Sequence, residues 1–198
     1  MDHMDEKFIE SMNEVEKEAE EKKRIEKLKR DFKNGFVVID DETIEFEERS
    51  LLQDKIKICL PKNFEIMSHE VAALKYPSER RPSLIFTDES TSINIAFNHT
   101  QNAINEAEVA KFKDNMIEIL KKMQPSIRWF ENGVKNINNK RVGFYEMLAP
   151  GFDGNSYNFV FFTELEGKVL LCSLNCLEEE MEDWKPVARE IMETLKIC

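Results

Sequence analysis

The stretch YNFVFFTELEGKVLLCSLN, residues 157–175, decides the fold. It holds two apolar runs, 157–164 and 168–175, parted by Glu166-Gly167, a turn pair by backbone physics. So short a connection cannot carry a crossover, so the two runs are neighbouring antiparallel strands. In the second run Leu170, Cys172, Leu174 and Cys176 share one face by the two-residue period of a strand.

Working upstream, residues 127–131 and 142–148 read as two further strands, punctuated by Asn132-Gly133, Asn138-Asn139, Pro150-Gly151 and Asp153-Gly154. Before them lies a helix over 105–123, in which Val109, Phe112, Met116, Ile119/Leu120 and Met123 form the stripe of a helix that covers a core. Residues 83–87 and 92–97 predict two strands around Asp88-Glu89-Ser90, with Ile93, Ile95 and Phe97 on one face and Asn94 and Asn98 on the other. Ser68 is placed to cap a short helix that Tyr76-Pro77 stops. Short strands are expected at 37–39, 44–46 and 55–58. Downstream, a final helix begins near Asp183 with Trp184, Val187, Ala188, Ile191 and Leu195 on one stripe, and Pro186 is expected in its first turn. The sum is an α+β domain: an antiparallel sheet of about seven strands flanked by helices.

Residues 1–34 differ in kind. They carry 11 acids and nine bases, against 39 acids and 28 bases in the 198-residue chain. A long charged N-terminal helix is expected there, on Phe8, Met12, Val15 and Ala19 at heptad-like steps. After Lys22 the seam shifts to Ile25, Leu28 and Phe32, and Gly35 is a natural stop. Either the seam pairs with a partner, a second copy included, or the helix is solvated and rests its Ile25/Leu28/Phe32 end on the body. With under three clean heptads the solvated reading is preferred. The expected division is a helical arm, 1–34, and an α+β domain, 35–198.

Composition removes several function classes. The net charge is −11, and the 35–198 body contributes most of it, which repels phosphate and argues against nucleic acid and anionic membranes. No apolar run approaches the ~20 residues of a membrane span. The acidic, polar start MDHMDEKFIE has no signal-peptide pattern, so a cytoplasmic location is expected. Cys59, Cys172, Cys176 and Cys198 are too few for a disulfide framework. The Cys172/Cys176 spacing suits small core side chains better than a metal pair, since no CxxC or HxxxH accompanies it.

Catalytic chemistry finds little to use. His3, His69 and His99 lack the company a site needs; no Ser lies in GxSxG, and no Gly-rich stretch resembles a phosphate cradle. Asp153-Gly154-Asn155 lacks the ladder of a calcium loop. Two stretches have anchor-type residues for a protein interface. One is the loop around Tyr76, Arg80 and Arg81, which alternatively reads as a rigid loop with solvated charges; the other is Phe152 between turn glycines. Together with Phe8 and Met12 these are the candidate binding residues.

Six phrases in order resemble a known superfamily: LPKNF (60–64), KYPSERRP (75–82), SINIAF (92–97), NKRVGFYEM (139–147), EGKVLLCSLNC (166–176) and a tryptophan-bearing last helix. Over about residues 42–198 the chain resembles the PsbP-like proteins, which include the photosystem subunit, Mog-type Ran-binding proteins, DcrB and secretion-effector chaperones. The resemblance implies an α/β/α sandwich and non-enzymatic protein binding, and it carries over no contact residue. The expected function is a cytoplasmic adaptor or chaperone-like domain without metal or cofactor, whose partner is another protein. The alternative is an enzyme using surface carboxylates, also without metal or nucleotide.

Overall fold

A computed structural model describes residues 2–78, 81–151 and 154–198, with side chains from residue 15 onward. The chain divides into two compact units, 1–45 and 46–198.

The first unit is built on α1 (Asp2–Lys33). A run of Glu, Lys, Arg and Ala without Gly or Pro explains its length. Its end is fixed by Gly35, at φ +90, whose N–H reaches the Phe32 carbonyl at 2.9 Å. That left-handed step costs glycine nothing. Among the described side chains, Val15 is 63% exposed while Leu28 and Phe32, in the helix's last turns, are buried. Those turns lie against β1 (Phe36–Ile39), which pairs with residues 42–45 across Asp40-Asp41, both at positive φ.

In the second unit, β2 (Glu42–Leu51) continues over 46–51 to pair with β3 (Ile56–Pro61). β3 in turn pairs with the chain's last strand, β11 (Lys196–Ile197). The main sheet has seven strands, all antiparallel. Their spatial order is β4 (Glu65–Ile66), β5 (Leu84–Thr87), β6 (Asn94–Ala103), β10 (Lys168–Leu177), β9 (Asn155–Leu165), β8 (Lys140–Pro150) and β7 (Arg128–Ile137). The two strands of residues 157–175 thus sit at its centre, paired from Lys168↔Leu165 to Leu177↔Ser156.

Alternation along these strands makes two apolar faces, and each takes helices. One face presents Tyr145, Val160, Phe162 and Val169 to α3 (Val109–Met123), with Phe112 edge-on to Phe162 at 5.0 Å. On the same face α2 (His69–Lys75) lays Val71 and Ala72 over Ile85 and Ala96. The other face, with Phe159, Phe161, Leu170, Cys172 and Leu174 all nearly inaccessible, meets α4 (Met181–Glu193), which also packs on β3. A sheet coated on both sides explains why β8, β9 and β10 are apolar almost continuously rather than in strict alternation.

Several expectations need correction. The early strands do not join the seven-stranded sheet; residues 46–61 form their own small sheet with β11, a two-residue strand too short to leave a periodic signal. Asn132-Gly133 is not a turn but lies inside β7, beyond a register shift between Trp129 and Asn132. A Cβ on Gly133 would come within 3.0 Å of the Phe144 ring, so the glycine serves packing rather than reversal. The mid-chain helix begins as a 3-10 turn, Glu106–Glu108, before α3 proper. Pro186 is the sixth residue of α4, past the first turn, where it removes one backbone hydrogen bond; its ring is buried, which offsets the loss.

Candidate functional site

Of the six candidate binding residues, the structure describes the side chains of two. Arg80 and Phe152 lie outside the described residues, as do the side chains of Phe8 and Met12 on α1. Tyr76 caps α2, its N–H bonded to the Ala72 carbonyl at 2.9 Å. Its ring is half-buried, and its hydroxyl exchanges hydrogen bonds with Asn175 at 3.1–3.4 Å. Burial raises the phenol's pKa, against the lowering effect of that contact. Arg81 is half-buried, with Nη1 sealed from solvent and without a hydrogen-bond partner among the described residues. Tyr76 therefore points toward the sheet rather than out of the loop.

What Tyr76 meets is a row that sequence reading recorded only in part. Asn94 on β6, Asn175 on β10 and Asn158 on β9 stand directly opposite one another in register. Asn94 Nδ2 donates to Asn175 Oδ1 at 3.2 Å, and Thr87 Oγ1 donates to Asn94 Oδ1 at 2.9 Å. With Ser92 and Ser156 they line a cleft of about 290 Å³ on the face that carries α2 and α3. The signal available beforehand was an asparagine in each of three apolar strands, SINIAF, YNFVFF and SLNC. Only the register aligned them.

A larger groove, about 520 Å³, lies at the β4 end of the sheet. Glu65 and Ile66 of β4, Val71 of α2, and Asp88 and Glu89 of the β5–β6 turn are among its walls. Ser68 Oγ accepts from Val71 N at 3.3 Å and fixes the start of α2. The Asp88 carboxylate accepts from Ser90 N at 3.1 Å and Ile93 N at 2.9 Å, which holds the turn in shape. Ile66 is 65% exposed.

The titratable groups inside the fold are engaged in structure. Glu146, fully buried on β8, takes Arg189 Nε at 2.8 Å and lies 3.2 Å from Lys185 Nζ, both from α4. Arg189 reaches on to Glu131 at 2.7 Å. The Tyr157 hydroxyl is also buried; burial first, then the negative charge of Glu146, push its ionisation upward. Tyr145 is raised to about 12 by burial alone. His99 Nε2 is 3.0 Å from the Leu165 carbonyl, which requires the proton on that nitrogen, so the ring serves as a strand-to-turn tie. His69 is exposed at the start of α2.

All four cysteines are free. Cys172 and Cys176 point with Leu170 and Leu174 into the α4 face, as their spacing predicts. Burial pushes both thiols up, Cys176 to about 12. Among the described residues no three His, Cys, Asp or Glu side chains are grouped as a metal site would require. Among them, too, no helix is long and apolar enough to cross a membrane.

No protein-family model matches this sequence, and no curated protein matches it at a significant level. Solved structures do. The cyanobacterial PsbP of Synechocystis sp. PCC 6803 is similar at a TM-score of 0.56 and 10% identity, over 77% of this chain and 92% of that one. LpqN of Mycobacterium tuberculosis, described as involved in cell envelope biogenesis, is similar at 0.50 and 14% identity, over 81% and 96%. At such identities the likeness concerns the path of the backbone, and that path agrees with the layering above: this chain has the PsbP-like fold.

Proposed function

We propose that this chain is a non-enzymatic protein-interaction domain. The observation that carries the reading is Ile66, a large aliphatic side chain left 65% exposed in the lining of the 520 Å³ groove. Exposed apolar surface next to a concavity is how a domain meets another protein. Reaction chemistry would instead need a displaced titratable group facing substrate. The strongly displaced groups among the described residues, Cys172, Cys176, Tyr145 and Tyr157, are all buried. LpqN, of the same fold, is named for a part in envelope biogenesis rather than for a reaction, which is compatible with this reading.

The test is affinity capture on the immobilised full chain, with each captured protein then titrated against the purified chain by calorimetry. A saturable one-to-one complex with a Kd of about 10 μM or tighter is expected, worth roughly 7 kcal/mol. Retention of nothing beyond a bare-bead control, together with turnover of a substrate in an activity screen, overturns the proposal.

A further inference from the structure

The groove at β4 has a definite charge. Glu65, Asp88 and Glu89 contribute three carboxylates to its walls, and among the described residues no Lys or Arg lines it. Glu65 and Glu89 are exposed and form no ion pair among the described residues. Asp88 is held in place by its turn bonds. Between the acids lies an apolar strip: Ile66 largely exposed, Val71 half-buried, Met67 beneath. β4 is also the end strand of the main sheet, with β5 on one side and, among the described residues, no strand on the other. An end strand with an open side favours an extended neighbour.

These features select one occupant. A neutral apolar helix would leave the carboxylates unanswered, and an acidic segment would be repelled. Resting on the interaction reading above, we propose that this groove receives a short, extended, basic segment of a partner protein. Its Lys or Arg side chains face Glu65 and Glu89, and an aliphatic side chain sits on Ile66 and Val71. Attraction from a chain of net charge −11 speeds the encounter, and the groove supplies the selectivity.

The probe is a fluorescein-labelled octapeptide of alternating lysine and valine, titrated against the full chain by fluorescence anisotropy. Two comparison peptides replace lysine by glutamate, or valine by serine. The lysine–valine peptide is expected to bind with a Kd below about 1 mM at ~50 mM salt and at least ~10-fold more weakly at ~300 mM. Glu65→Gln/Glu89→Gln should weaken it at least ~5-fold and Ile66→Ser about threefold. The charge-matched pair Asp114→Asn/Glu118→Gln, on exposed positions of α3, should change it less than ~2-fold. Equal losses in the groove pair and the α3 pair would reduce the binding to general charge attraction and overturn the proposal. So would equal binding of the lysine–serine peptide. A chain that self-associates, and whose Glu65→Gln/Glu89→Gln form is monomeric by sedimentation, would give the groove to a second copy and overturn it too. The two proposals fail separately: a captured protein that binds the groove variant as tightly as the native chain removes this groove and leaves the interaction reading intact.

Discussion

At the scale of single residues, chemistry here is decided by depth. Cys172 and Cys176 share strand, face and element with Leu170 and Leu174, and desolvation disfavours their thiolates; Cys198 is exposed at the end of the chain. Only the thiolate attacks an alkylating reagent. Cys198 should therefore label rapidly in the native protein. Cys59, half-buried and with its pKa raised chiefly by burial, should lag behind it, and Cys172 and Cys176 should react only once denaturant opens the sheet. Mass-resolved labelling at neutral pH checks this order, and fast native labelling of Cys172 would contradict the packing of the α4 face. The same desolvation sets a sign for stability. A buried thiol or phenol whose folded pKa lies above its unfolded value keeps its proton when the unfolded chain has lost it. Stability is then intact below about pH 9, the thiol's ordinary value, and falls as pH rises toward the folded value of about 12 at Cys176. Glu146 lies outside this pattern: its site, with Arg189 and Lys185, was invisible beforehand because a lone Glu in GFYEM gives no sign of which cations the opposing helix will bring.

At the scale of elements, the close contact between β8 and the start of α3 rests on Gly143. A Cβ there would lie 2.6 Å from the Phe162 ring, inside any permissible approach, and 3.1 Å from Val109, tighter than ordinary van der Waals contact. Both neighbours are fully buried and have nowhere to retreat. Gly143→Ala should destabilise the protein by about 1–3 kcal/mol through overpacking, lowering the urea midpoint with an unchanged slope. No destabilisation would mean that α3 sits farther from the sheet than described. Helix periodicity announced α3 and α4, and turn pairs announced the hairpins. What periodicity missed was Pro186 past the first turn, the Asn132-Gly133 pair inside β7, and the extension of β6 to Ala103. In each case a tertiary contact or an added ladder bond overrode a local preference.

At the scale of the whole molecule, the 46–198 unit has an apolar inventory of its own, with Phe46, Ile58, Phe97, Phe161, Trp184 and Leu195 all buried. A chain comprising residues 46–198 should fold with native-like circular dichroism and unfold in one transition, as a domain of ~150 residues does. An insoluble or non-cooperative product would show that residues 1–45 belong to its core. The charged helix, by contrast, owes its ends to local chemistry: good helix formers throughout and Gly35 at the stop.

The sequence by itself determined the fold class, the central hairpin of residues 157–175, helices α3 and α4 with the buried stripe of α4, and the burial of Cys172 and Cys176. Each of these follows from a period of two or 3.6 and from turn chemistry, which are local properties. The tertiary structure alone decided which strands share a sheet, the opposition of Asn94, Asn175 and Asn158 in one row, and the meeting of Glu146 with Arg189. It alone assembled Glu65, Ile66, Val71, Asp88 and Glu89 around one groove from three separate elements. Those facts depend on register and layer order, and both are set by which apolar faces bury each other across the chain, a long-range choice that no window of neighbouring residues contains.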